Sequence, residues 1–200
     1  MSETHSLFPI PFRKVSSVLS KEDREYILNK DVELIGNIER ENIYHTDELC
    51  PYWDYLKPRL AETCKELSAE LFSEELEWHI CSIWKNVSKP TSSHAPHNHV
   101  NSFISGILYV SDNIVSTRFH RPIPTGGYIF GHFNDNPGMY NSAWVTINGI
   151  QPGDLLLFPS YIVHSVPPNP SDEDRVTIAF NAVPRYCLLY TSDAADEAKC

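Results

Sequence analysis

Three histidines and one arginine in or near the second half of the chain are of residue types that can act in a metal or ligand site. His97 and His99 stand two positions apart just before an apolar run, and His164 follows a later apolar run. Arg175 comes eleven positions after His164 and opens a further apolar run. Imidazole nitrogens bind divalent transition metals, and a guanidinium pairs with a carboxylate through two parallel hydrogen bonds. The set therefore indicates a candidate metal site that is followed in the chain by an arginine.

The spacing of these residues tells which of them can act together. Residues i and i+2 of an extended chain project from one face, so His97 and His99 can reach the same ion. On a strand that begins at Arg175, Thr177 shares its face for the same reason. A single histidine is more often an ordinary core or surface residue than a ligand, and a single arginine is most often a solvated charge. The ordered combination with His164 is what favours a site, and it predicts that the three imidazoles converge to within about 3–4 Å.

The chain before about Glu75 has a helical pattern after one short strand. Two prolines in Leu7–Val15 favour an edge strand there, because proline cannot donate to a ladder. Ser20 followed by Asp23 resembles a capping box, which predicts a helix through about Asn29.

A second helix is indicated by leucines at helical spacing, which continue to about Phe72. These are Leu56, Leu60, Leu67 and Leu71. Pro58 is placed in the first turn, where proline is tolerated. We expect the leucine face to lie against a sheet.

From about residue 76 onward the hydrophobic period changes to two, which is typical of strands. Turn signals such as Asn148-Gly149 separate the apolar runs. The predicted strands are Trp78–Val87, Ser102–Val110, Ser116–His120, Tyr128–Phe133, Ala143–Asn148, Asp154–Phe158 and Arg175–Val183. Short strands without helices between them indicate a sandwich or barrel. The predicted fold class is thus mainly β with N-terminal helices, an α+β arrangement.

The length of 200 residues suits one domain with a real core and is short for two. We expect a single domain over residues 1–186, with a helical part over about 16–75 and a β-barrel over about 76–184. The segment Cys187–Glu197 reads CLLYTSDAADE, which resembles a translated sequencing adapter. Residues 187–200 are therefore expected to be a non-native tail outside the fold.

Composition and sequence patterns limit the classes of binding partner and the cellular compartment that we expect. The formal net charge of −10 argues against nucleic acid, because a phosphate backbone is bound by basic surfaces. No stretch approaches the roughly 20 apolar residues of a membrane span, and no signal-peptide pattern opens the chain. The five cysteines are odd in number and scattered, which favours reduced thiols in a cytoplasmic protein. We therefore expect a cytoplasmic protein whose substrate is a small molecule or a protein side chain.

Three sequence blocks resemble a small family of 2-oxoglutarate/Fe(II) oxygenases. They are HNHVNSFISGILYV at His97–Val110, GDLLLFPSYIVHSV at Gly153–Val166 and RVTIAFN at Arg175–Asn181. The family signatures are of the form H-x-H-x-x-S-x-x-S-G-x-x-Y, G-D-L-L-x-F-P-S-x-x-x-H-S-V and R-x-x-I-x-F-N, in this order. The resemblance extends from Trp84 to Pro184, about half of the chain. It implies a double-stranded β-helix, a jelly-roll or cupin-like barrel whose mouth holds iron.

The resemblance also implies cofactors and residue roles. Fe(II) would be the metal, with 2-oxoglutarate as cosubstrate and O2 as oxidant, and the activity would be hydroxylation with release of succinate and CO2. The implied metal ligands are His97, His99 and His164. Arg175 would pair with the distal carboxylate of 2-oxoglutarate, and Thr177 would donate a second hydrogen bond from the same face. Tyr109 either faces the cosubstrate as well or packs as a core aromatic.

One position departs from the wider superfamily, in which the residue two places after the first histidine is usually a carboxylate. Here that residue is His99. Three neutral imidazoles leave one more positive charge on the iron than two histidines and a carboxylate do. The extra charge strengthens the attraction for an anionic cosubstrate and makes oxygen activation harder. His94 or Asp112 would be the substitute ligand if His99 pointed away from the site.

Two other classes of protein could use the same histidines. A cupin-like protein could bind a metal for sensing or structure without turnover, and it would not need Arg175. A metal-dependent hydrolase or isomerase could use three histidines on zinc, but it would want a nearby carboxylate as general base. The three functions therefore differ in whether an arginine or a carboxylate lies beside the metal.

Overall fold

The computed structural model describes residues 10–30, 43–45, 50–122 and 142–186. In these segments the chain forms two helices and ten strands. The helices are α1 (Lys21–Asn29) and α2 (Cys50–Phe72). The strands are β1 (Arg13–Val15), β2 (Ile43–His45), β3 (Trp78–Ser88), β4 (His94–His97), β5 (Ile104–Tyr109), β6 (Arg118–His120), β7 (Trp144–Thr146), β8 (Leu155–Pro159), β9 (His164–Val166) and β10 (Arg175–Pro184). Both helices precede the main β region, as the change of period predicts.

The strands form two sheets, and every described strand pair is antiparallel. The larger sheet has the order β1-β8-β5-β10-β3-β2, and the smaller sheet has the order β4-β9-β6-β7. From β3 to β6 the chain alternates between the larger and the smaller sheet, and it does so again from β7 to β10. Two alternating runs of this kind make a double-stranded β-helix, which confirms the predicted barrel.

Apolar clusters cover both faces of the larger sheet. On β10, Val176 and Ile178 belong to the cluster that also contains the buried leucines of α2. The second cluster contains Phe158 of β8 and, packed against it, Phe119 of the smaller sheet. Because successive residues of a strand serve opposite faces, Arg175 points away from the helices and toward the smaller sheet.

The first helix begins with the predicted capping box. The Asp23 backbone N–H donates to the Ser20 hydroxyl, and the Ser20 N–H donates to the Asp23 carboxylate, each at 3.0 Å. These reciprocal bonds satisfy two backbone donors that a helix start otherwise leaves open. The sequence from Ser20 to Asp23 is therefore enough to predict where α1 begins.

The second helix is longer than predicted. It begins at Cys50, so Pro58 lies inside the helix. The prediction that Pro58 lies in the first turn was wrong. An interior proline removes one backbone hydrogen bond, and here the buried neighbours Leu56 and Leu60 hold the helix in place. Leu71, expected on the buried face, is 40% exposed because the packed stripe of α2 ends before the last turn.

The longer predicted strands match β3, β5, β6, β7, β8 and β10 to within a few residues. The predicted edge strand Leu7–Val15 is described only from residue 10, and there its paired part is β1, at the edge of the larger sheet. The predicted strand Tyr128–Phe133 lies outside the described residues. We did not predict β2, β4 or β9, which have three or four residues and lie outside the apolar runs from which the other strands were predicted.

The predicted domain end at residue 186 coincides with the end of the last described segment, and the predicted tail 187–200 lies beyond it. Both stay predictions. None of the helices in the described segments is long and apolar enough to span a membrane.

Gly106 on β5 lies directly opposite Phe180 on β10. A Cβ atom at Gly106 would overlap the edge of the Phe180 ring, which is fully buried. We expect Gly106→Ala to lower the free energy of unfolding by about 1–3 kcal/mol, the range for overpacked cores, as measured by urea denaturation. Gly149→Ala is the control, because no atom lies within 4 Å of a Cβ there. Gly149→Ala should lose about 1–2 kcal/mol through its left-handed backbone alone, with no change in packing. A loss below about 1 kcal/mol for Gly106→Ala, with Phe180 unmoved, would contradict the overlap.

Candidate metal centre

Two short strands of the smaller sheet bring the predicted histidines together. His97 ends β4 and His164 begins β9, and the two residues are direct partners in the antiparallel pair. His99 lies just beyond β4, where its backbone N–H donates to the carbonyl of Ser160 at 3.0 Å. One ring nitrogen from each of the three histidines lies within 4.8 Å of the other two.

Within this group, the Nε2 atoms of His99 and His164 are 3.4 Å apart. Two nitrogens bound to one ion at about 2.1 Å are separated by roughly 3.0–3.4 Å for octahedral to tetrahedral bond angles. This pair therefore has the predicted separation of about 3–4 Å. For the whole set only the wider limit of 4.8 Å holds, so the convergence of all three rings to about 3–4 Å stays a prediction.

The backbone selects which nitrogen each ring presents. His97 Nδ1 lies 2.8 Å from the carbonyl oxygen of Ala95, and His164 Nδ1 lies 3.1 Å from that of Ile162. A carbonyl only accepts, so both Nδ1 atoms carry the proton and both Nε2 atoms keep a free lone pair. Metal-binding histidines are commonly oriented by such a bond on the other nitrogen.

Burial keeps the imidazoles in the form that binds metals. Burial first, and the neighbouring His97 second, lowers the pKa of His164 from 6.5 to about 3 and that of His99 to about 4. Both rings are therefore neutral at pH 7. Phe158 contributes to this burial, because its ring packs edge-on against His164 at a centroid distance of 4.9 Å.

The two substitute ligands that the sequence left open lie in different places. His94 lines the same cavity, and its ring stacks on His97 with centroids 4.0 Å apart. Asp112 is exposed and forms an ion pair with Arg24, so it is not near the histidines as a ligand would be. No aspartate or glutamate is among the described residues that line the cavity.

Arg175 lines the cavity of the three histidines and is almost fully buried, with 2% of its surface exposed. Its Nε atom has no hydrogen-bond partner, and within the described segments no carboxylate forms an ion pair with it. Burial lowers the pKa of Arg175, opposed by Tyr109, but a guanidinium stays charged at neutral pH. A buried cation with an open donor fits an anionic ligand such as a carboxylate.

Thr177 and Tyr109, the other two residues predicted to bind the cosubstrate, differ in whether they line the cavity. Thr177 lines the cavity, and its hydroxyl accepts a hydrogen bond from Asn86 Nδ2 at 3.5 Å. Tyr109 is 1% exposed, lies outside the cavity lining, and bonds through its hydroxyl to Thr117 at 3.0 Å. The guanidinium carbon of Arg175 is 5.6 Å from the Tyr109 ring centroid. Tyr109 thus packs as a core aromatic beside Arg175, which was one of the two expected placements, and a direct role toward the cosubstrate stays a prediction.

Sequence reasoning did not assign Trp84 and Asn86 of β3 to the site. Both line the cavity, the Trp84 ring lies 5.7 Å from that of His99, and Trp84 Nε1 donates to Asn86 Oδ1 at 3.2 Å. The sequence shows that Trp84 and Asn86, two positions apart on a strand, share one face of β3. It does not show which face of β3 lines the cavity. Asn86 is the direct partner of Thr177, and that pairing joins strands far apart in the chain.

Comparison with known families decides the class of protein. Residues 82–181 match the sequence profile of the family described as "Putative 2OG-Fe(II) oxygenase", and this match spans half of the chain. The chain belongs to this family. Its enzymes use Fe(II), 2-oxoglutarate and O2, which agrees with the donor set described above. No curated protein sequence matches the chain significantly.

Solved structures support the same fold for this 2OG-Fe(II) oxygenase. The non-heme alpha ketoglutarate dependent epimerase SnoN from nogalamycin biosynthesis aligns with a TM-score of 0.62 at 16% identity, over 88% of this chain and 79% of its own. HygX from Streptomyces hygroscopicus, with nickel and 2-oxoglutarate bound, aligns with a TM-score of 0.56 at 12% identity, over 88% and 83%. A viral collagen prolyl hydroxylase from Paramecium Bursaria Chlorella virus-1 aligns with a TM-score of 0.52 at 10% identity, over 86% and 94%. At these identities the likeness establishes the double-stranded β-helix.

The third ligand can be tested with two substitutions of one residue. His99→Asp should keep Fe(II) binding, because a carboxylate at this position also reaches the metal. His99→Ala should weaken Fe(II) binding by at least about 10–100-fold, a loss seen even for outer-shell partners of metal ligands. Anaerobic Fe(II) titration of the wild type and both variants measures this. Equal affinity in all three proteins would remove His99 from the centre while leaving the fold unchanged.

The lowered histidine pKa values predict a pH-dependent stability of the metal-free protein. His99 stays neutral in the fold down to a pKa of about 4, whereas in the unfolded chain it is protonated below 6.5. The unfolded state therefore binds more protons between these values, and the free energy of unfolding should fall as the pH falls through that window. Urea midpoints measured across the window check this, with His99→Gln expected to show a shallower slope. A variant slope as steep as that of the wild type would contradict the assignment to His99.

Proposed function

We propose that this oxygenase hydroxylates an organic substrate, using Fe(II), 2-oxoglutarate and O2 and releasing succinate and CO2. The observation that carries the proposal is the buried Arg175, without an ion-pair partner in the described segments, in the same cavity as the three converging imidazoles. A metal site alone has no need of a buried cation beside it. A dicarboxylic cosubstrate does, because one end binds the metal and the other end needs a counter-charge.

Different residues of the cavity would bind the metal and the cosubstrate. His97, His99 and His164 would hold the iron through neutral ring nitrogens. Arg175 would pair with the distal carboxylate of 2-oxoglutarate, and Thr177 would donate to it from the same face of β10. Bound Fe(II) supplies the means of splitting O2 so that one oxygen atom enters succinate and the other enters a C–H bond of the substrate.

The charge distribution of the cavity favours this cosubstrate. His99 and His164 are neutral at pH 7, Arg175 is positive, and no described lining residue is an acid that would repel a dianion. Apolar residues, including Phe158, Ile107 and Ala179, form part of the same wall. They exclude water, which strengthens the attraction between the guanidinium and a carboxylate.

The substrate we propose is a small molecule or a protein side chain. HygX has been solved with hygromycin B bound together with nickel and 2-oxoglutarate. SnoN has been solved with Fe3+, alpha ketoglutarate and nogalamycin RO. The viral relative is a collagen prolyl hydroxylase, whose substrate is a protein. Proteins of the same fold therefore bind small molecules in some cases and act on a protein in another.

The alternative functions have less support. A metal-binding protein without turnover would not explain the burial of Arg175. A hydrolase or isomerase would want a carboxylate base, and the buried carboxylate closest to the motifs in sequence is Asp154, which is absent from the cavity lining. Asp154 instead pairs with Lys14 at 3.0 Å and accepts backbone N–H bonds from Ser17 and Gln151. Its role is to hold β1 and the turn before β8.

Binding of 2-oxoglutarate tests the proposal directly. Adding 2-oxoglutarate to the anaerobic Fe(II) protein should produce a metal-to-ligand absorption band in the visible range. Arg175→Ala should weaken this binding on the order of 3–5 kcal/mol, the loss when one partner of a buried ion pair is removed. Titration of the band measures the affinity.

Arg13→Ala is the matched control for this experiment, because Arg13 lies at the edge of the larger sheet and pairs with Glu66 and Glu70 of α2. The control should bind 2-oxoglutarate as the wild type does. A wild-type protein that binds Fe(II) but gives no band, or an Arg175→Ala variant of unchanged affinity, would contradict the proposed function.

A further inference from the structure

A buried hydrogen-bond network joins the three sequence blocks beside the metal centre. Ser105 of β5 and Ser160 after β8 are 1% and 0% exposed, and their hydroxyl oxygens are 2.8 Å apart. The Ser105 hydroxyl also donates to Asn181 Oδ1 of β10 at 2.8 Å, and Asn181 Nδ2 donates to Ser82 at 3.1 Å. Ser105, Ser160 and Asn181, which we call the serine–asparagine network, thus link three strands that are separate in the sequence.

The direction of these bonds follows from the number of protons. Asn181 Oδ1 can only accept, so the single proton of Ser105 points to Asn181. The proton between the two serines must then come from Ser160. Ser105 is the centre of the network, and its hydroxyl both donates and accepts.

The network is bonded directly to the segment that carries the third predicted ligand. The Ser160 carbonyl accepts from the N–H of His99, and the Ser160 N–H donates to the carbonyl of Phe103, each at 3.0 Å. His99 lies beyond the end of β4, so strand pairing does not place it. The bond to Ser160 is what ties this segment to the barrel, and the side chain of Ser160 is in turn tied to β5.

We propose that the serine–asparagine network is a positioning network that holds His99 at ligand distance from His164. The inference depends on the proposed three-histidine centre. Buried hydroxyl and amide groups gain no hydrophobic stabilisation, and their mutual bonds mainly offset their own desolvation. What they add is direction, because two bonds on Ser160, one through its hydroxyl and one through its carbonyl, fix where the His99 backbone lies.

The network also includes a residue of β10, the strand that carries Arg175. Asn181 is the direct partner of Ser105 and stands on the strand that begins with Arg175. One set of bonds therefore fixes the metal ligand His99 relative to the strand that would bind the cosubstrate. Ser105 itself lines the cavity.

Cobalt(II) titration of the full chain tests the proposal, because Co(II) is a redox-stable probe whose visible bands change with the number of ligands. Ser105→Ala removes the centre of the network and should weaken Co(II) binding about 10–100-fold, as loss of outer-shell partners does. Its spectrum should resemble that of His99→Ala. Ser105→Thr, which keeps the hydroxyl, should restore both affinity and spectrum.

Ser68→Ala is the matched control. Ser68 on α2 is also 0% exposed, donates to the Lys65 carbonyl at 2.8 Å and accepts from Trp78 Nε1 at 3.2 Å. It should lower the melting temperature as Ser105→Ala does but leave the Co(II) affinity and spectrum unchanged. If Ser105→Ala does not fold, Ser160→Ala replaces it, since that change leaves the bond between Ser105 and Asn181 intact and should produce the same spectral shift.

The outcomes separate the two proposals. A Ser105→Ala or Ser160→Ala protein that binds Co(II) as the wild type does, while His99→Ala does not, overturns the network and leaves the three-histidine centre standing. A His99→Ala protein with wild-type affinity and spectrum overturns the centre, and the positioning role falls with it. Loss of affinity in Ser68→Ala equal to that in Ser105→Ala also overturns the network, because the effect would then be general destabilisation.

Discussion

The pairing of β10 on both of its edges is the constraint on which the site depends. β5 bonds to one edge and β3 to the other, so the direction of each side chain along β10 is set by the ladder. Val176 and Ile178 can meet the helix side only if Arg175 and Thr177 face the cavity. A shift of register by one residue would exchange these faces and place a guanidinium among the leucines of α2. The apolar packing of the helices thus enforces the position of the cation.

The site is assembled from groups that the folded chain buries at a cost. Arg175 is buried without a described ion-pair partner, and the pKa values of His99 and His164 are lowered because burial opposes their charged forms. A ligand that binds only the folded state and supplies the missing counter-charge stabilises the protein by an amount that grows with the logarithm of its affinity. The burial that is unfavourable in the free protein is therefore the same feature that would favour binding of a metal together with a dianion. Stability and binding should be strongly coupled in this enzyme.

The three histidines are held by different means. His97 and His164 face each other across β4 and β9, and a backbone carbonyl orients each ring through Nδ1. His99 has no strand to hold it and depends on the bond to Ser160. It is also the position at which the wider superfamily usually has a carboxylate. The proposed ligand that would alter the charge of the centre is thus the one that strand pairing controls least.

Local chemistry in the sequence determined much of this protein: the capping box at Ser20, the longer strands of period two, and the blocks that name His97, His164 and Arg175 as a set. Each depends on residues within a few positions of one another, which is the range over which capping and alternation act. Tertiary structure alone decided that β4 and β9 form, that α2 continues past Pro58, and that Tyr109 packs beside Arg175 outside the cavity lining. It also decided that Ser105, Ser160 and Asn181 meet, because hydrogen bonds between strands distant in the chain leave no periodic signal in the sequence.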